Sequence, residues 1–228
     1  MNAVASPTAG PEPFSGFAGP NCMDFTRIAA LFLAFTCAGA RAADFELTVD
    51  EARRVNQGEI VIRADLDPGQ RRGTVRAAMR VEAPPHVIFE AMSRCADAMK
   101  YVPHLRSCRL HAQPGHPDAP LVEHEIDLGW FAPRMRYVFR AELVADRSIS
   151  FRQVSGDFKV NEGRWELEAD ADGQGTLLRY RVRIDPPGYV PNWLARSTFR
   201  KELPRMLENL KRHCEAGPSS PAHANNLP

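Results

Sequence analysis

The chain of 228 residues has few of the groups that announce chemistry. Of its five cysteines, none stands at C-x-x-C or a comparable metal-site spacing, which argues against a zinc centre. No G-x-S-x-G nucleophile elbow occurs, so a Ser-His-Asp hydrolase has no visible anchor. Charge of one sign is not in excess either, because 29 Lys and Arg stand against 28 Asp and Glu. A nucleic-acid binder would carry a basic footprint, and this chain does not. The apolar run from Ile28 to Ala38 is too short to span a bilayer.

What is present begins with a leader. In "MDFTRIAALFLAFTCAGARA", Met23 to Ala42, Arg27 precedes the apolar run and Ala40-Arg41-Ala42 closes it as an A-x-A cleavage signal. Residues 1–22, rich in Pro, Gly and Ala, read as sequence upstream of a true start at Met23. Cys37 follows Ala34-Phe35-Thr36, a poor context for lipid attachment, so a soluble exported protein is expected, in the periplasm. Cleavage removes Arg27, Arg41, Glu12 and Asp24, two residues of each sign, and the balance stays at +1.

The mature chain opens with a preamble over 43–72. Thr48 followed by Glu51 predicts a capping box for a short helix ending near Gly58, with a strand over Ile60 to Ile62. The turn residues Asp67-Pro68-Gly69 come next. "TVRAAMRVEA" alternates as a strand, and Pro84-Pro85 starts a helical region whose stripe is Ile88, Ala91, Met92, Cys95 and Met99. After Pro103 come "LRSCRLHA", the polar loop "QPGHPDAP", "LVEHEIDLGW", "RMRYVFRAELV", "SISFRQV", "RWELEA" and "LLRYRVRI", all alternating with period two. From Pro191 to about Cys214 an amphipathic helix carries Phe199, Leu203, Met206, Leu207 and Leu210 on one stripe, with Pro204 expected to kink or break it. The tail over 216–228 is disordered by composition.

The order is strand, helices, six strands and one long helix. Close strands with tight turns predict an α+β fold with an antiparallel sheet, wet on one face and dry on the other, curled around its helix. Parity points Val122, His124, Ile126, Leu128, Trp130, Met135, Tyr137, Phe139, Phe151, Trp165 and Tyr180 toward the dry face. Either they fill an ordinary core or they line a ligand cavity; alternation does not separate the two. His124 is the one clearly inward titratable group. It is either a core residue satisfied by Tyr137, Tyr180 or Gln153, or the polar end of a cavity. Asp157 and Glu162 are further acid/base candidates, but carboxylates scattered in strands usually serve a solvated face.

Tyr101, Pro103 and His104, with Trp130, Phe131 and Pro133, are expected to cap one end of the sheet, as a plug or as a gate making transient membrane contact. Of the three mature cysteines, Cys95 on the helix stripe and Cys108 in the next strand can approach each other. They form either a disulfide or two buried thiols.

The segments "VEAPPHVIFEAMSRCADAMKYVPHLRSCRL", "GRWELEADADGQGTLLRYRVRI" and "LPRMLENLKR" resemble the SRPBCC or START-like superfamily, over about Thr74 to His213. The likeness is to its polyketide cyclase/dehydrase and lipid-transport group, including the coenzyme-Q-binding branch. "GEIVIR" is similar to the preamble of exported bacterial members. The resemblance implies a helix-grip fold, a curved antiparallel sheet around a long C-terminal helix, with a START-like ligand-binding domain over 73–215. It implies a ligand such as a lipid, quinone or polyketide, held by the inward residues above together with Tyr101 and Phe199. It supplies no shared catalytic motif, no metal and no cofactor.

With one inward titratable residue, the expected function is binding and shuttling a hydrophobic small molecule. The alternatives are a cyclase or dehydratase on an aromatic or polyketide-like substrate, and a non-catalytic periplasmic accessory module. N-terminal sequencing of the exported protein should read Ala43 first; full-length protein in the cytoplasm would contradict the leader.

Overall fold

The computed structural model describes residues 45–68, 71–111, 115–116, 118–131 and 133–217. The leader, the segment before it, Gly69, Ala132, most of the tail and part of the "QPGHPDAP" loop lie outside the described residues, as does the Phe131 side chain.

Thr48 caps α1 (Val49–Asn56): its hydroxyl accepts from the Glu51 amide, and Glu51 accepts from the Thr48 amide at 2.9 Å. Val55 from this helix packs with Phe45, Val61 and Ala78 in a small core of its own. The strand that follows, β1 (Val61–Leu66), is longer than its apolar start announces, because residues 63–65 alternate poorly but still pair. It runs antiparallel to β2 (Gly73–Val81), so the preamble supplies an edge of the main sheet.

Pro84-Pro85 ends β2, and Pro85 opens α2 (Pro85–Ser93), since a first-turn proline has no amide to lose. The expected single helical region is two helices. Arg94 takes an extended backbone and separates α2 from α3 (Cys95–Tyr101). Six strands follow: β3 (Leu105–His111), β4 (Leu121–Ile126), β5 (Met135–Val144), β6 (Ser148–Gly156), β7 (Val160–Ala169) and β8 (Thr176–Asp185). The last helix, α4 (Asn192–Glu215), runs without interruption through Pro204, where a kink or break was expected.

The eight strands form one antiparallel sheet in the order β1-β2-β8-β7-β6-β5-β4-β3. α2 and α3 therefore carry the chain from β2 to the far edge, and six strands return from there to close on β2. The sheet is curved and open, and α4 lies on its dry face, in an α+β helix-grip arrangement. Leu207 and Leu210 of α4 are fully buried in one core with Met79, Val81, Ile88 and Leu178.

Two ties hold the crossing helices. Cys95 and Cys108 form a disulfide that joins the start of α3 to β3, with Cα atoms 5.2 Å apart. Asp97, almost fully buried, accepts from Arg94 at 2.7 Å and Lys100 at 2.9 Å, and lies 3.0 Å from His213 Nε2 of α4. Burial alone would raise this carboxyl, but hydrogen bonds from Lys100 and Arg94 outweigh it and hold it below the usual carboxylate range. Replacing both bridged cysteines by alanine should lower the unfolding free energy by about 3 kcal/mol, since the bridge closes a short loop in the unfolded chain. Urea titration of the double variant against the parent reads this directly.

Candidate functional site

Between α2–α3, α4 and the dry face of β4–β8 lies a cavity of about 180 Å³. Its wall is mostly apolar and aromatic, because period-two alternation sends one side chain in two from each strand to the same face. Phe139 stacks edge-on against His124 and Phe151, at centroid separations of 5.1 and 5.8 Å. Trp165 and Tyr180, opposite one another on β7 and β8, stack face to face at 3.8 Å. Ser93, Arg94, Leu110 and Pro120 also line the cavity. Leu110 is exposed, and so is the Arg94 side chain, so the wall reaches solvent between the α2–α3 break and the loop before β4.

The polar groups sit deeper. His124 on β4 and Tyr137 on β5 are directly paired, and His124 Nδ1 lies 3.1 Å from the Tyr137 hydroxyl, a hydrogen bond in which either ring tautomer can take part. Burial lowers the imidazole to about 4, so the ring is neutral at ordinary pH. The phenols of Tyr101, Tyr137 and Tyr180 are all pushed up by burial. At Tyr180 the neighbouring Tyr137 and Tyr101 add to the rise, and all three side chains line the same cavity. Asn161, on β7, adds a buried amide to the wall. The inner wall is thus mostly apolar, with a ring nitrogen, three phenols and an amide, and the charged Arg94 side chain stands at its solvent-facing rim.

Of the residues expected to hold ligand, seven line this space: His124, Tyr137, Phe139, Phe151, Trp165, Tyr180 and Tyr101. Five do not. Ile126, Leu128, Met135 and Phe199 pack with Val190 and Ala195 in a separate apolar cluster that plugs the end of the sheet. Parity correctly turns the strand residues among them inward, but they lie further along their strands than the cavity extends. Trp130 is 89 % exposed, because β4 ends at Ile126 and a 3-10 turn over Gly129–Phe131 reverses the alternation that would have buried it.

Of the residues expected to cap one end of the sheet, Tyr101 lines the cavity, whereas His104 and Pro133 stand at the Leu105–Ile126–Met135 end of β3–β5. Tyr101 is buried in the cavity wall, Pro133 is exposed, and His104 pairs with Glu202 at 3.4 Å. Gln153, a suggested partner for His124, donates instead to the Phe158 carbonyl at 2.7 Å. Asp157 accepts from the Arg136 amide at 2.6 Å, and Glu162 lies on the wet face between Arg152 and Arg183; neither enters the cavity.

Asn161 was not visible in the sequence because the recognisable alternation of β7 starts at Arg164. Counting back by twos from Trp165 through Gly163 would have found it. The break at Arg94, which brings Met92 and Ser93 to the wall, has no sequence signal. Among the described residues no group of three or more His, Cys, Asp or Glu side chains could hold a metal, and no helix is long and apolar enough to cross a membrane.

The displaced imidazole sets a pH dependence. An unfolded histidine titrates near 6.5, so between about pH 6.5 and 4 the unfolded chain binds a proton at residue 124 that the native state does not. Stability should fall by about 3 kcal/mol as pH drops through this window. His124→Gln should flatten that part of a urea-midpoint profile, and an unchanged profile would show that residue 124 does not carry it.

The sequence over residues 81–211 matches the family model described as "Polyketide cyclase / dehydrase and lipid transport". No curated protein matches the chain in sequence. Several solved structures share the fold. The STAR-related lipid transfer protein from Xanthomonas axonopodis superposes with a TM-score of 0.52 at 18% identity, over 68% of this chain and 93% of that one. The Zhui aromatase/cyclase from Streptomyces sp. R1128 gives 0.51 at 15% identity, over 68% and 94%. Human STARD10 gives 0.57 at 10% identity, over 68% and 69%. At such identities the structural likeness speaks to the fold alone. The family match covers more than half of the sequence, and on that ground the chain belongs to the polyketide cyclase/dehydrase and lipid transport family of START-like proteins.

Proposed function

We propose that the chain binds and shuttles a hydrophobic small molecule without covalent chemistry, and that it does so in the periplasm. The observation that carries the reading is the titration state of the cavity. His124 is lowered to about 4 and the three tyrosines are raised, so every one of these groups is neutral and none is poised for proton transfer near pH 7. A wall of this kind accepts a neutral ligand and orients it through a few polar contacts. The ligand places a carbonyl or hydroxyl against His124 and the phenols, and rings against Phe139, Phe151 and Trp165.

The volume narrows the class further. A cavity of 180 Å³ is somewhat larger than the roughly 150 Å³ that holds benzene, and smaller than the roughly 300 Å³ at which drug-sized sites begin. A one- or two-ring compound, such as the head of a quinone, enters without rearrangement; a longer lipid requires the α2–α3 crossing to move away from the sheet. The Cys95–Cys108 bridge suits the oxidising compartment that the leader implies. Exposed Trp130 and Trp193 suit a passing contact with a bilayer interface. Trp130 follows the end of β4 and Pro120 precedes its start, so such a contact orients the molecule and does not gate the mouth.

A second reading, cyclisation of an aromatic or polyketide-like substrate, is favoured by the His124–Tyr137 pair beside Asn161. Native mass spectrometry of protein purified from its host, followed by solvent extraction, separates the two. The carrier reading expects a low-mass adduct released intact; an empty cavity in every preparation overturns it, and a converted product supports the cyclase. His124→Leu combined with Tyr137→Phe removes both ends of one hydrogen bond, an exchange close to neutral for stability. The double variant should keep its fold and retain at least tenfold less ligand. Loss of several degrees of melting temperature with normal retention would make the pair structural.

A further inference from the structure

The polar groups of the inner cavity are not equally satisfied. His124 and Tyr137 hydrogen-bond each other at 3.1 Å. Asn161, Tyr101 and Tyr180 line the same space. Among the described residues, neither the Asn161 amide nor the hydroxyl of Tyr101 or Tyr180 has a hydrogen-bond partner. Asn161 is 8% exposed and Tyr101 7%. Buried polar side chains are nearly always paired, with protein, with water or with a ligand. The Asn161 amide is the one such group that stands away from the phenols.

Strand register gives the separation. Tyr180 on β8 is opposite Trp165, whereas Asn161 on β7 is opposite Ile184, four residues further along. Four residues amount to roughly 13 Å along the strands. Tyr137 lies on β5, with β6 between it and the strand of Asn161. The wall between is aromatic. Phe139 and Phe151 meet edge-on at 5.8 Å, and Phe151 stands opposite Gly163. An added Cβ at Gly163 would meet that ring at 2.7 Å, so glycine lets the ring lie against the β7 backbone beside Asn161. Among the described residues the one ionised group of the lining is Arg94, held at the rim by Asp97 at 2.7 Å and Glu90 at 3.8 Å.

We propose that Asn161 is a specificity-determining residue that takes a second oxygen of the ligand, which makes that ligand a neutral two-ring aromatic with oxygen at both ends. The inference rests on the carrier reading. One oxygen meets the phenols and His124, the rings lie along Phe139 and Phe151, and the other oxygen meets Asn161. A primary amide both donates and accepts, so it takes a hydroxyl or a carbonyl equally well. A carboxylate or phosphate is disfavoured, because it would leave water without gaining a free counter-ion. Hydrogen bonds of about 2.8 Å at each end take up part of the span, and a fused pair of rings fills the rest. A cavity of about 180 Å³ admits such a pair. A buried group placed to bond a ligand hydroxyl penalises the analogue that lacks one, and this gives Asn161 its discrimination.

The test is a fluorescence titration with naphthalene-2,6-diol and with 2-naphthol, which lacks the second hydroxyl. The parent protein should bind the diol at least tenfold more tightly. Asn161→Leu should bring the ratio of the two Kd values close to one, and Asn161→Ala carries the same comparison should the leucine variant fail to fold. Equal binding of both compounds by the parent overturns the proposal, since water alone then satisfies the amide. A diol preference that survives at Asn161→Leu overturns it too. Loss of both compounds from the variant makes the amide a support of the wall and is equally fatal. If the parent binds neither, the proposal falls, and native mass spectrometry of host-purified protein shows separately whether the carrier reading falls with it.

Discussion

One helix has to cover the dry face of eight strands. α4 is the one element of sufficient length; it meets Leu178, Met79 and Val81 and, near its start, Ile126 and Met135, but it leaves the middle of β4, β5 and β6 uncovered. A flat sheet would leave those strands bare to water, so the sheet curls, and the α2–α3 crossing covers the remainder. Two short helices separated by an extended residue make an incomplete lid. The space they leave is the cavity, and its chemistry follows from being under-covered: large aromatic side chains fill what they can, and a few polar groups, His124 and Tyr137 paired with each other among them, stand between the rings.

That origin explains which parts of the site were legible in advance. Alternation decides the face of a strand on which a side chain lies, and for His124, Tyr137, Phe139, Trp165 and Tyr180 that was sufficient. It does not decide how far along the strand the covering helix presses. Ile126 and Met135 have the same parity as His124 and Tyr137, yet they meet Ala195 and Phe199 of α4 closely and leave no space. Hollow and filled regions of one dry face look alike in the sequence because the difference depends on where a distant helix crosses.

Boundaries failed for a related reason. Trp130 looked like the last inward residue of a strand, but glycine at 129, with φ of 80°, already belongs to a turn. In β7 the glycine at 163 hid the start of the alternation and with it Asn161. In both places a residue without a side chain interrupted the pattern from which the strand is read. At Pro204 the pattern allowed a break, and there is none. The helix continues because burial of Leu207 and Leu210 beyond it outweighs one missing backbone hydrogen bond.

The bridge between Cys95 and Cys108 has a topological effect on access to the interior. It closes the chain from residue 95 to residue 108 into a covalent ring that contains all of α3, the turn after it and the first residues of β3. This ring forms one jamb of the cavity's doorway. α3 cannot unravel from its N-terminal end, nor can β3 peel away from it, while the ring is intact. α2 lies outside the ring: it ends at Ser93, before the extended Arg94, and is held by burial of Ile88 and Ala91 in the core, with no covalent tie of its own.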